Sequence, residues 1–215
     1  MKILLIGASG TIGSAVKAEL AQRHEVISIG RTHGDFQVDI SDSASIRKLF
    51  EQTGKFDALV CAAGSVNFVP LGDMSETDFE LGLRDKLMGQ VNLLLIGREY
   101  ANDGASFTFT SGILNRDPIR TGASAALVNG ALDAFVKAAA IELPRGLRVN
   151  SVSPTVLLEA MGSYAPYFRG YKPAPAADVA LAYAKSVEGL QTGQTFIVGG
   201  ILCLSEIPEA GRRAC

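Results

Sequence analysis

Apolar residues follow two rhythms along this chain. Short, nearly unbroken apolar runs fall at residues 2–6, 25–29, 57–61, 105–110, 147–152 and 194–198, with a weaker run at 36–40. Each has the length of one buried strand. Between them, apolar positions recur every three or four residues at 14–23, 43–52, 76–101, 123–143 and 177–187. That spacing predicts helices. Asp42 stands where the 43–52 helix needs a cap, and Ile46, Leu49 and Phe50 share its apolar face. Gly82, Gly89 and Gly97 interrupt the longest helix. Glycine is costly inside a helix, so close packing is expected at those points. Residues 157–175 carry Tyr164, Tyr167, Tyr171 and three prolines, and predict an irregular cap.

Strands alternating with helices predict an α/β chain: a single Rossmann-like, doubly wound parallel sheet with helices on both faces. The domain spans residues 1–205, and a polar tail follows at 206–215. Ligands of such sheets bind at the carboxyl ends of the strands. The elements ending at Gly7, Arg31, Asp39, Gly64, Ser111 and Pro154 are therefore expected to line one crevice.

The first strand runs straight into Gly7, Gly10 and Gly13, and a helix follows. In that context the glycines read as a phosphate-binding turn. Gly7 allows the tight exit, Gly10 lets a diphosphate approach the backbone, and Gly13 lets the helix pack on the sheet. The free N–H groups of the helix start favour the anion. The second strand ends in Gly30-Arg31-Thr32, with no carboxylate before Asp35. An NAD site usually presents an acid there for the ribose 2′-OH, whereas an arginine suits a 2′-phosphate. NADP(H) is therefore expected over NAD(H).

Composition narrows the function further. The 215 residues are 47% hydrophobic and carry a net charge of −2. That is enough for a sizeable core and argues against a nucleic-acid partner. Charged residues interrupt every apolar run before membrane-spanning length. The opening residues read as a strand rather than a signal peptide. Cys61, Cys203 and Cys215 are scattered, without metal-ligand spacing. A soluble cytoplasmic protein without a metal fits these features.

The chain resembles the short-chain dehydrogenase/reductase family from Met1 to about Gly200. The phosphate turn matches in Gly-x-x-Gly-x-x-Gly spacing. Cys61-Ala62-Ala63-Gly64 resembles the family's Asn-Asn-Ala-Gly turn. Asp39 falls where the family contacts adenine, Asn150 to Pro154 resembles the segment beside the nicotinamide, and Val198-Gly199-Gly200 resembles the closing strand. The resemblance implies coenzyme contacts at Gly7, Ser9, Gly10, Thr11, Ile12, Gly13, Arg31, Thr32, Asp39, Ile40, Ala62, Ala63, Gly64, Lys86 and Pro154. It also implies a small-molecule substrate and a homodimer or homotetramer.

The family's active site comprises Asn, Ser and Tyr-x-x-x-Lys. Carried over residue by residue, only the serine is kept, as Ser111. The tyrosine position is Ala125, the lysine position is Asn129, and the asparagine position is Lys86. Lysine and asparagine have thus traded helices, and Ser111, Lys86 and Asn129 are the candidate catalytic set. Alanine cannot supply a proton. The candidates for that task are Lys86, a water held by Ser111 and Asn129, or a cap tyrosine among Tyr164, Tyr167 and Tyr171. Two functions remain open. One is an oxidoreductase acting on a small carbonyl, alcohol or activated alkene. The other is an inactive dinucleotide sensor or structural subunit.

Overall fold

The computed structural model describes residues 1–200. The polar tail expected at 206–215, with Cys203 and Cys215, lies outside the described residues. Seven strands form one parallel sheet in the order β3-β2-β1-β4-β5-β6-β7. They are β1 (Lys2–Ile6), β2 (Glu25–Gly30), β3 (Phe36–Gln37), β4 (Phe56–Cys61), β5 (Ala101–Thr110), β6 (Arg148–Pro154) and β7 (Thr195–Val198). The order reverses between β1 and β4, which opens a crevice at their carboxyl ends.

Alternation along the strands divides the core. Leu4, Ile6, Leu59, Phe107, Phe109 and Val149 meet three helices, α2 (Ser43–Thr53), α4 (Met88–Gly97) and α5 (Ala123–Ala140). Ile3, Leu5, Ala58, Val60 and Val152 face the other way, against α1 (Thr11–Leu20) and α7 (Ala176–Glu188). Both faces of a parallel sheet are thereby covered, which is why its strands read as continuous apolar runs.

The structure corrects several element boundaries. The first helix begins at Thr11, directly on the glycine turn, rather than at residue 14. The strand expected at 36–40 pairs only over Phe36–Gln37. Beyond it the Asp39 carboxylate accepts from the Ser41 N–H and hydroxyl, which bends the chain towards α2. The helix expected at 76–101 is broken into α3 (Glu76–Leu81), a π-helical segment (Gly82–Leu87) and α4, and β5 starts as early as Ala101. Close packing at the three glycines is confirmed. A Cβ on Gly82 would stand 3.1 Å from Ser124, on Gly89 2.9 Å from Ile40, and on Gly97 2.8 Å from Phe50. The cap holds a short helix, α6 (Met161–Tyr164), and a bridge between Leu157 and Ala174.

Candidate functional site

The glycine turn is shaped from inside the protein at two of its three glycines. Gly7 adopts φ 85°, and a Cβ there would lie 2.8 Å from the Ala62 backbone. A Cβ on Gly13 would strike the Gly7 carbonyl oxygen at 2.0 Å. Gly10 differs, because the nearest atom to its Cβ position is 3.5 Å away. No packing demand within the described protein explains that glycine, and the space beside it is open to a ligand. Gly10 is the N-cap residue of α1, which has no side-chain cap and no acidic residue in its first turn. Its first N–H groups are left for an anion.

Two cavities continue from this turn. One, of about 200 Å³, is lined by Gly7, Ser9, Arg31, Ile40, Gly64 and Asp85, among others. The second, of about 280 Å³, is lined by Ile12, Ala62, Lys86, Ser111, Ala125 and Asn129, with Pro154 at its edge. Ala63 and Gly64 form a wall common to both. Asp39 lies with Arg31 on a third, outer hollow. Thr32 is not among the lining residues of these three cavities, and its hydroxyl lies 2.8 Å from His33 Nδ1. The turn, the uncapped helix start and these joined cavities fit an elongated dinucleotide.

The second cavity holds the candidate chemistry. Lys86 Nζ donates to Asn129 Oδ1 at 2.7 Å and to the Ser111 carbonyl at 3.0 Å. Two of the three ammonium protons are thus held by fixed acceptors, and the third remains available. Desolvation lowers the Lys86 pKa from 10.5 to about 8, opposed more weakly by the Asp133 charge. The Lys86 stem fits because residue 64 is glycine. At φ 138°, a Cβ there would come within 2.7 Å of Lys86 Cγ. Asn129 Nδ2 stands over Gly112, where a Cβ would approach it to 3.0 Å. Ser111 is buried, and its hydroxyl makes only a long contact, 3.5 Å, with the Val152 carbonyl. Ala125 is also buried on this wall and presents no acid.

Other candidate groups are engaged elsewhere. The Tyr171 hydroxyl bonds to the Asp117 carboxylate at 2.8 Å, and burial beside that charge pushes its pKa up to about 12. Tyr164 and Tyr167 are exposed. The cap instead contributes Phe168, against which Tyr164 and Tyr171 pack edge-on. Burial pushes the Cys61 thiol up to about 12, as suits a core residue. Among the described residues no group of His, Cys, Asp and Glu could hold a metal ion, and no helix is long and apolar enough to cross a membrane.

Two residues escaped the sequence reading. Gln90 is fully buried. It donates to the Lys86 carbonyl at 2.9 Å and to the Thr110 carbonyl at 3.2 Å, and accepts from the Thr110 N–H at 2.8 Å. It buckles the helix bearing Lys86 to the end of β5. Asp85, beside Lys86 in sequence, faces Arg31 instead. A polar residue in an apolar helical stretch was the available signal for Gln90. Nothing in the spacing pointed to Asp85.

A parallel sheet with this crevice, glycine turn and crossover order defines a dinucleotide-binding α/β protein. A family model described as enoyl-(acyl carrier protein) reductase matches residues 11–200. The short-chain dehydrogenase/reductase ATR9 of Stachybotrys chlorohalonatus is 28% identical over 185 residues, 71% of this chain and 72% of its own. L-Xylulose reductase of Homo sapiens is 27% identical over 183 residues, 75% of this chain and 73% of its own. Among solved structures, protein lin1944 of Listeria innocua is 54% identical, with a TM-score of 0.91, over 92% of this chain and 99% of its own. A small-chain dehydrogenase in complex with NADPH is 28% identical, with a TM-score of 0.83, over 93% of this chain and 97% of its own. The chain belongs to the short-chain dehydrogenase/reductase family.

Proposed function

We propose that this chain is an NADP(H)-dependent oxidoreductase of small, uncharged carbonyl compounds or activated alkenes and the corresponding reduced products, with Lys86 as the proton donor. The observation that carries this reading is the Lys86 ammonium, fixed between Ser111 and Asn129 on the wall of a cavity that has alanine at position 125. The phosphate turn and Arg31 would hold the diphosphate and 2′-phosphate of the coenzyme, and Ala62, Ala63, Gly64 and Pro154 would border its nicotinamide half. Bound there, the coenzyme supplies or accepts hydride. In carbonyl reduction the third Lys86 N–H points its proton at the substrate oxygen as that oxygen gains negative charge. Lys86 leaves the step as a neutral amine and recovers its proton from solvent. Asn129 and the Ser111 carbonyl hold Nζ in place throughout. An ammonium of pKa about 8 is a stronger acid than an ordinary tyrosine, and the alkoxide left by hydride addition is a much stronger base than the amine that results. Val66, Phe68, Ile113 and Phe168 give the substrate apolar walls.

The NADPH-bound neighbour and the relative named carbonyl reductase [NADPH] 2 of Sus scrofa support the coenzyme preference. Self-association into a dimer or tetramer is part of the same proposal, and Leu95 on α4 and Leu127 on α5 are exposed apolar side chains available to such a contact. Ala125 favours a second reading, a binding protein without catalysis. A panel of small aldehydes, ketones and enones, monitored at the nicotinamide absorbance, separates the two. The enzyme reading expects turnover that falls by about 10²–10⁴ in Lys86→Met. No turnover anywhere on the panel, or turnover unchanged in Lys86→Met, contradicts it.

A further inference from the structure

Arg31 faces two carboxylates at the adenosine end of the crevice. Its Nη2 lies 3.5 Å from Asp39 Oδ1 and 3.8 Å from Asp85 Oδ2. The two acids differ in setting. The Asp39 side chain is 45% exposed and already accepts two hydrogen bonds from Ser41, whereas that of Asp85 is 8% exposed. Among the described residues, Arg31 is the cation within ion-pair distance of Asp85. Asp85 comes from the π-helical segment that also carries Lys86. The two are neighbours in the chain, and successive helical side chains leave in different directions: Lys86 lines the reacting end of the crevice and Asp85 the adenosine end. Together with Arg31, Asp85 lines both the 200 Å³ cavity and a neighbouring one of about 520 Å³ that reaches Arg84.

We propose that Asp85 is a specificity-determining residue for the coenzyme. It competes with the 2′-phosphate for Arg31 and so limits the preference for NADPH over NADH. A phosphate draws strength from a guanidinium by taking two of its N–H groups side by side. For Arg31 to offer them, it must turn from Asp85. That leaves a little-exposed carboxylate without its counter-ion and close to a dianion, and both changes are unfavourable. A ribose 2′-OH demands no such exchange and can itself donate to a carboxylate. An acid near the ribose is thus supplied by the π segment, although the end of β2 lacks one. This inference rests on reading Arg31 as the partner of the 2′-phosphate.

Calorimetric titration of NADPH and NADH into wild type, Arg31→Ala, Asp85→Asn and the double variant tests it. Wild type is expected to prefer NADPH, and Arg31→Ala to remove that preference. Equal affinities in wild type, or no effect of Arg31→Ala, overturn the reading of Arg31 itself. Asp85→Asn is expected to raise the NADPH-over-NADH affinity ratio by about threefold or more, the scale of one partly screened ion pair. That gain should shrink in the Arg31→Ala background, where only the direct effects of Asp85 on the 2′-phosphate and the ribose 2′-OH remain. An unchanged or lowered ratio in Asp85→Asn, or a gain of undiminished size without Arg31, overturns the role assigned to Asp85. Asp85→Ser is titrated in parallel, and the ratio must rise in whichever variant melts cooperatively. Loss of cooperative melting in both makes Asp85 a structural residue and also overturns the assignment.

Discussion

Lys86 shows how a single residue can be legible in type and hidden in role. The exchange of lysine and asparagine between positions 86 and 129 was visible once the family pattern was laid on the chain. Their meeting, 2.7 Å apart, follows from the crossing of two helices and is not encoded in either one's periodicity. Sequence could not decide among the three proton sources. Tyr171 is set aside by its bond to Asp117, a contact between residues 54 apart in the chain. Gly64 was legible as part of the Cys61–Gly64 turn, and the structure shows the Lys86 stem packed against it. Gly64→Ala therefore combines positive-φ strain with a 2.7 Å clash against Cγ. We expect a loss of about 1–3 kcal/mol in unfolding free energy, measured by denaturant titration. Stability equal to that of wild type would show that the stem is free to move aside.

At the scale of elements, the break in the longest helix matters most. Propensity flagged three glycines as costly but could not say that residues 82–87 wind as a π-helix. Within that segment the neighbouring Asp85 and Lys86 line different cavities, and such segments recur at functional sites. Gln90 then fixes the segment to β5. Gly97 closes the same helix over two buried rings. Gly97→Ala would gain about 1 kcal/mol of helix propensity. It would also press a methyl to 2.8 Å from Phe50 and 3.2 Å from Phe107. Overpacking costs about 1–3 kcal/mol. The balance predicts a lower melting temperature, and a rise on thermal melting would show that the rings yield. The short β3 has a similar explanation. Its apolar run was read correctly as extended, but at the sheet edge side-chain bonds to Asp39 took over from the ladder.

For the whole molecule, the strands and their order of burial were nearly all readable, because a sheet covered on both faces leaves unbroken apolar runs. The parallel sheet and the crevice at its carboxyl ends followed from the alternation with helices, whereas the strand order came from the structure. The proposed self-association depends on which apolar side chains folding leaves uncovered. Leu127, on the outer side of α5, is 45% exposed. Leu127→Glu is expected to convert the assembly to monomers in sedimentation velocity while leaving the fold intact by circular dichroism. A wild type that already sediments as a monomer would contradict the proposed assembly.

The account as a whole turns on where the proton comes from, and the pH dependence of kcat/KM for carbonyl reduction reads this directly in the free enzyme. Lys86 is a usable acid only while protonated, and its pKa lies near 8. Reduction should be level below that pH and fall about tenfold per unit above it, while alcohol oxidation, which needs the neutral amine, rises over the same range. In Lys86→Met the residual rate should lose this inflection. A wild-type profile without an inflection near 8, or one that survives intact in Lys86→Met, would contradict Lys86 as the proton donor.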